Sequence, residues 1–280
     1  MGVPAREGVG LIMWKRIIAL GKFLAAAVAI VTAMATGTSA QRGGQGVGRN
    51  VNYDPGPQKA KYDGRWAFVR VRYKQGLGRG GPAWAHDWPA GETHFMQILD
   101  FVTNLDARQD TTLILNLDDP EIFKYPIIYL CEPGFWTVDD KEAANLRAYL
   151  QKGGLIIFDD FHSLDRAAGG GDDWPYFERA MKTALPDAKI MDLDIKNPLF
   201  HSFFDVPSFD VVHNMYDPGQ PIFRGIYEDN DPKKRLLAII NYNTDVSEYW
   251  EFSSTGFNPV SDTNQAYQIG VNWIIYGFTH

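Results

Sequence analysis

The sequence predicts an α/β domain built on a largely parallel sheet. Three observations carry that class: two short continuous apolar runs, residues 127–130 and 155–158, and an amphipathic stretch between them that ends at Gly153 and Gly154. A continuous apolar run marks a strand covered on both faces, and a helix joining two such strands implies a right-handed parallel crossover. Thr137 is the expected N-cap, with Asp139 and Asp140 favourable near the positive end of the helix. Ala143, Leu146 and Leu150 form the apolar stripe, with Ala148 at its margin. The glycine pair stops the helix where a left-handed residue is needed. In open sheets of this kind, ligands gather beyond the carboxyl ends of the strands. Here those ends carry Cys131, Glu132, Asp159, Asp160 and His162.

The N-terminus reads differently from the rest. Lys15, Arg16 and Lys22 precede an apolar core at 23–34, and Thr38-Ser39-Ala40 supplies small residues before Gln41. Residues 1–40 are therefore read as a secretory signal peptide, too short in its apolar core for a comfortable membrane span. An uncleaved anchor is the rival, and Met13 offers a second start. The expectation is a periplasmic or secreted protein with no membrane span after cleavage.

The whole chain carries a net charge of −7; setting aside Arg6, Glu7, Lys15, Arg16 and Lys22 leaves −10. Such a surface repels phosphate backbones and argues against nucleic acid as a partner. The single cysteine, Cys131, excludes an internal disulfide framework and any multi-cysteine metal site. It follows a core strand directly, so burial is expected.

Residues 41–65 are polar and glycine-rich, a flexible lead-in to one domain over 66–280. Residues 67–73 alternate apolar and basic residues and form the first strand, with Arg70 and Arg72 on an exposed face. The loop at 76–91 begins GLGRGG, which lacks the Lys-Ser/Thr of a nucleotide loop and is read as a surface loop tipped by Trp84 and Trp88. Residues 93–108 form a helix and 111–117 a strand closed by Asp118-Asp119-Pro120. After the organising unit come a helix at 172–185, a strand at 188–193 and an aromatic turn at 198–206 around His201. Residues 210–235 read as an excursion over the surface. A strand at 236–242, a polar and aromatic loop at 244–252 and a helix at 264–278 complete the chain.

Five stretches, YPIIYLCEPGFW, GGLIIFDDFH, NPLFHSFFDV, LLAIINYNTD and YQIGVNWIIYGFTH, resemble the bacterial domain-of-unknown-function family forty-one fifty-nine over about 62–280. The resemblance implies a three-layer α/β sandwich similar to class I glutamine amidotransferases, with flavodoxin-like topology and a place in the bacterial envelope. It implies no activity. Amidotransferases carry a cysteine on a sharp strand-to-helix elbow with an activating histidine. In that pattern Asp159 and Asp160 stand where the nucleophile would, and Cys131 falls one strand too early.

Three site readings follow. Asp159, Asp160 and His162, with Glu132, form a metal or acid–base site, because adjacent carboxylates and an imidazole supply ligands or a raised pKa. His201 or His213 would complete it from the loops. Against this, Asp159 and Asp160 would merely cap backbone N–H groups. The second reading is a carbohydrate or peptidoglycan cleft using Trp84, Trp88, Trp136, Trp174 and Trp250 as a stacking platform, against their use as core. The third is an envelope module that binds a partner protein. Among single histidines, His94 and His280 are read as structural or solvated. His86 sits beside Asp87 in the glycine-rich loop, where a lid or ligand role is open but no spacing supports it, and His162 and His201 are the better functional candidates.

The sequence-level conclusion is an exported ligand- or partner-binding module with its site at the strand ends. The alternative is a metal-assisted or acid–base hydrolase using Asp159, Asp160 and His162 on a carbohydrate or cell-wall substrate. Metal and cofactor identity are left open.

Overall fold

The computed structural model describes residues 54–76, 81–162, 172–210, 212–213 and 219–280. The expected signal peptide and most of GLGRGG lie outside the described residues. Seven strands form the central sheet: β1 (Val69–Arg72), β3 (Leu113–Asn116), β4 (Ile127–Cys131), β6 (Leu155–Asp159), β7 (Ile190–Asp192), β8 (Ile222–Tyr227) and β9 (Leu236–Tyr242). Their order is β3-β1-β4-β6-β9-β8-β7, parallel from β3 to β9, with β8 and β7 added antiparallel. Two short segments, β2 (Lys74–Gln75) and β5 (Trp136–Thr137), make a separate antiparallel pair. The chain first steps from β1 to β3, then returns across β1 to β4, so the order reverses beside β1. That reversal opens a crevice at the carboxyl ends.

Five helices cover the sheet: α1 (Ala90–Val102), α2 (Asp140–Gln151), α3 (Trp174–Ala184), α4 (Val246–Glu251) and α5 (Val260–Thr279). Strand alternation sorts them. Phe158 points to one face, against Trp136 and Phe177 of α3, with ring centroids 5.6 and 4.9 Å apart. Its neighbour Asp159 points to the other face and accepts from the first backbone N–H groups of α4. On that face α5 closes tightly over the sheet and its partner helices: a Cβ at Gly270 would lie 2.5 Å from Trp250, and one at Gly277 would lie 2.7 Å from Ile127. The layers are therefore helix, sheet and helix. Among the described residues, no helix is long and apolar enough to cross a membrane.

Several local expectations are corrected. Asp139, rather than Thr137, caps α2, in a capping box with Glu142 that satisfies two backbone donors at once. The stretch read as a surface excursion contains β8, which pairs with β9 along its length. Gly225 interrupts its apolar pattern for a packing reason, since a Cβ there would lie 2.5 Å from Leu236. The stretch read as a polar loop holds α4, capped by Asp245, whose side chain accepts from the backbone of Glu248. Arg70, expected to be exposed, is fully buried. Its alternation marks a buried ion pair with Glu92 of α1 rather than a wet face.

Candidate functional site

The site is built in two tiers at the carboxyl ends of β1, β4 and β6. The lower tier is a floor of buried polar groups organised around Arg70 and Asp159. Arg70 Nε donates to Glu92 Oε1, while its Nη1 donates to the carbonyls of Trp84 and His86, 2.9 Å each. The guanidinium also lies over the Tyr129 ring, 5.1 Å from its centroid. Asp159 Oδ2 accepts from the Tyr129 hydroxyl at 2.9 Å and from the backbone N–H groups of Val246 and Ser247 at 3.1 Å, and Oδ1 accepts from Asn241 Nδ2 at 3.1 Å. Burial raises the Asp159 pKa to about 7, with the charge of Asp160 adding to it and the donors from Tyr129, Asn241 and Val246 opposing it. Asp159 thus ties β4, β6, β9 and α4 together.

The upper tier is a rim of ionisable side chains aimed at one another. His86 Nδ1 lies 2.8 Å from Asp160 Oδ2 and 3.3 Å from Glu132 Oε1. His162 Nε2 lies 3.2 Å from Asp160 Oδ1. Ligand-capable atoms of Glu132, Asp160 and His162 all fall within 4.8 Å of one another, as do those of His86, Asp87, Cys131 and Asp160. Both histidine side chains keep an exposed edge, 12% and 16%, whereas the Glu132 and Asp160 side chains have none. Burial acts to raise the Asp160 pKa, but the hydrogen bonds and charges of His162 and His86 outweigh it and hold this carboxyl well below the usual range.

The backbone beneath the rim is unusual. Asp87, Glu132 and Asp160 have φ values of +62°, +47° and +63°, left-handed conformations seldom adopted by residues other than glycine. Such positions cost of order 1 kcal/mol or more and gather at functional sites. Each lies where the chain leaves a strand or approaches a helix, and the turn there aims its carboxylate into the crevice. His162 is fixed by Asp173, whose Oδ2 accepts from the His162 backbone N–H at 2.8 Å while its own N–H donates to the His162 carbonyl at 3.1 Å.

Of the residues named from sequence, Glu132, Asp160 and His162 meet here. Asp159 faces the floor instead, with its oxygens occupied. His201 sits on the 3-10 turn Pro198–His201, beside Asp205 and the Ile195 carbonyl. His213 bonds the Asp210 carbonyl through Nε2, and neither histidine belongs to the rim clusters. Trp136 is buried against Phe158 and Phe177. With Trp84 and Trp250 it belongs to the core, so these three form no exposed stacking platform. The glycine-rich loop does not end in an exposed aromatic tip either: Trp84 is buried, and the chain then delivers His86 and Asp87 to the rim.

Sequence reasoning did not assign Asp87, Asp245, Ser247 or Glu248 to the site. Asp87, Asp245 and Glu248 have ligand-capable atoms within 4.8 Å of one another. Ser247 Oγ lies 2.6 Å from Asp87 Oδ2 and 2.8 Å from the Tyr129 hydroxyl. One signal was available, since Asp245-x-x-Glu248 is the spacing of a capping box and places both acids at a helix start. Cys131 is buried, 3.7 Å from Asp160 Oδ2. Burial, and then the Asp160 charge, push its thiol well above the ordinary range, the reverse of an activated nucleophile.

The family model described as Domain of unknown function (DUF4159) matches residues 67–278, and the chain belongs to that family. No curated protein matches it significantly.

Proposed function

We propose that this family member is an exported, divalent-cation-dependent hydrolase whose ion is held at the strand ends by His86, Glu132, Asp160 and His162. One observation carries the reading: Asp160, from a left-handed turn after β6, meets histidines from two separate segments and approaches Glu132 through His86. A cap for backbone groups needs no histidines, and a scaffold needs no buried carboxylates facing one another. Two imidazoles with two carboxylates suit Zn²⁺, Mn²⁺ or Fe²⁺ better than Ca²⁺ or Mg²⁺.

A bound ion would polarise a substrate oxygen and lower the pKa of a bound water toward neutrality. The chain supplies what surrounds that chemistry. Arg70 fixes the His86 backbone, Asp173 fixes His162, and the buried walls exclude bulk water, which strengthens every charge interaction inside. The basic and apolar N-terminus supports export, so a cell-envelope ester, amide or glycoside is the expected substrate class.

The test is metal analysis of purified protein alongside turnover of a panel of ester, phosphoester and glycoside substrates, with Asp160→Asn and His162→Ala as controls. Bound transition metal and chelator-sensitive turnover, both lost in the controls, are expected. Bound metal without turnover on any substrate would reduce the protein to a binding module. Folded wild-type protein that takes up no metal would sink the proposal altogether.

A further inference from the structure

We propose that Cys131 is a sulfur ligand of the cation at the strand ends, forming with His86, Asp87 and Asp160 an inner set that selects Zn²⁺. This rests on the cation reading of the rim and goes beyond it by naming the inner ligands and the metal. The other rim residues then act from the outer side, Glu132 lying 3.3 Å from His86 Nδ1 and His162 3.2 Å from Asp160 Oδ1.

Cys131 ends β4 and is the cross-strand partner of Asp159, so it points to the same face of the sheet. Ligand-capable atoms of Cys131, His86, Asp87 and Asp160 all fall within 4.8 Å of one another, and the sulfur lies 3.7 Å from Asp160 Oδ2. His86 Nδ1 lies 2.8 Å from that same oxygen and 3.7 Å from Asp87 Oδ1. A tetrahedral zinc ion at its usual bond lengths spaces its ligands about 3.3–3.6 Å apart. The three measured separations bracket that range.

A thiol beside a carboxylate is by itself an ordinary core contact, and Asp87 supplies the independent sign of a ligand. Its side chain is fully buried and its Oδ2 is anchored by Ser247 Oγ at 2.6 Å. Its Oδ1 has no hydrogen-bond donor among the described residues. Buried carboxylate oxygens are rarely left so, because the lost hydration goes uncompensated. That oxygen faces His86 Nδ1 at a distance too long for a hydrogen bond and suited to two atoms sharing one ion.

Each inner ligand is also held from behind. The Tyr73 hydroxyl donates to the carbonyls of Cys131 and Glu132, at 3.0 and 2.7 Å, and fixes the end of β4. Arg70 holds the His86 carbonyl, and Ser247 holds Asp87. Sulfur then decides the metal, since thiolate with imidazole favours Zn²⁺ where carboxylates alone suit Mn²⁺. Burial, and then the Asp160 charge, raise the pKa of the metal-free thiol, while the Arg70 charge opposes them. The raised value is no bar, because a coordinating thiol gives up its proton to solvent outright.

The rival is that Cys131 is only a small apolar residue of the core whose sulfur rests against Asp160. The experiment loads metal-free wild type with Co²⁺, a spectroscopic stand-in for Zn²⁺, and records its absorption. Cobalt bonded to a thiolate gives a strong near-ultraviolet charge-transfer band. Cys131 is the only cysteine in the chain, so in wild type that band has no other source. The band is expected in wild type and its loss in Cys131→Ser. Zn²⁺ affinity of the variant should fall more than about 100-fold, beyond what losing a supporting partner costs. Its Mn²⁺ affinity should fall less than about tenfold, since sulfur adds little for that ion. Bound Co²⁺ without the band overturns sulfur ligation and leaves the cation reading standing. Folded wild type that takes up none of the three ions overturns both. Should Cys131→Ser not fold, the wild-type spectrum alone decides.

Discussion

Asp159 and Asp160 are adjacent, equally buried and chemically identical, yet they belong to different kinds of structure. Asp159 ends β6 in the floor, where four donors from three elements converge on its oxygens. Asp160, one residue later in a left-handed turn, enters the rim, where its neighbours are histidines and another acid. The Asp159 carboxylate is closed, with donors on both oxygens, although Glu92 Oε2 and Asn241 Oδ1 beside it in the floor have no hydrogen-bond partner. In the rim, Asp87 Oδ1 has no hydrogen-bond donor among the described residues. Satisfied burial holds a fold together, whereas strained and incompletely satisfied burial at a strand end marks a place for a ligand.

The sharpest way to break this contrast is to remove each carboxylate separately. Asp159→Ala orphans two buried backbone N–H groups and the Asn241 amide, and each lost partner costs about 1–3 kcal/mol. A loss of about 3–5 kcal/mol in urea-denaturation stability is expected. Asp160→Asn keeps an acceptor for one histidine and a residue type tolerant of the left-handed region. Its stability should stay within about 1 kcal/mol of wild type by that reasoning, while metal uptake disappears. Equal destabilisation by the two substitutions would erase the distinction between floor and rim.

How much of this was legible in the sequence follows the same division. The floor strands were readable because their apolar runs are local signals: Ile127 to Leu130 and Leu155 to Phe158 lie one after another in the chain. Arg70 was misread because alternation alone cannot tell water from a buried partner, and that partner, Glu92, comes from the next helix. The rim was only half readable. Asp160 and His162 stand together in the sequence, but His86 reaches them from 74 residues away, at a point fixed by Arg70 and by a left-handed turn rather than by any spacing. His201 looked more promising than His86, and only tertiary contacts place it beside Asp205 instead. Strand β8 was hidden by Gly225, whose absence of side chain reads as a breaker but makes room for Leu236.

The two tiers should also part company in their pH dependence. A carboxyl whose folded pKa exceeds its unfolded value keeps its proton in the fold after the unfolded chain has ionised, so stability falls as pH rises between the two values. Asp159, raised to about 7, acts in this sense over roughly pH 4–7. Burial raises Asp245 and Glu248 in the same direction. Asp160 is depressed, so its stabilisation is lost only as pH falls through its low folded value, and it contributes no slope in this window. Metal-free protein should therefore melt at higher temperature near pH 5 than near pH 7, each raised group adding up to about 1.4 kcal/mol per pH unit. Asp159→Asn, which cannot ionise, should flatten part of the slope. Saturating Mn²⁺, which binds ionised carboxylates, should reverse it. A melting temperature independent of pH from 5 to 7 without metal would contradict the raised pKa values.

The smallest expected effect probes what joins the tiers. Asp173 reaches the rim through the His162 backbone, which it accepts from and donates to. Gly134 admits it, since a Cβ at that position would collide with the Asp173 carboxyl. Asp173→Ala removes the charge-assisted hydrogen bond to the His162 backbone N–H, worth about 1–2 kcal/mol of stability. Metal affinity should fall about tenfold, the lower end of what a supporting partner commonly contributes. Calorimetric titration with Mn²⁺ reads that change directly, and urea denaturation reads the other. If stability falls but affinity does not, His162 finds its place without help and the rim is less preorganised than its bonding implies. If affinity falls at least as far as expected while stability hardly moves, Asp173 acts chiefly as a positioning residue for His162, and the rim's geometry rather than the fold's strength is what its burial beside Gly134 maintains.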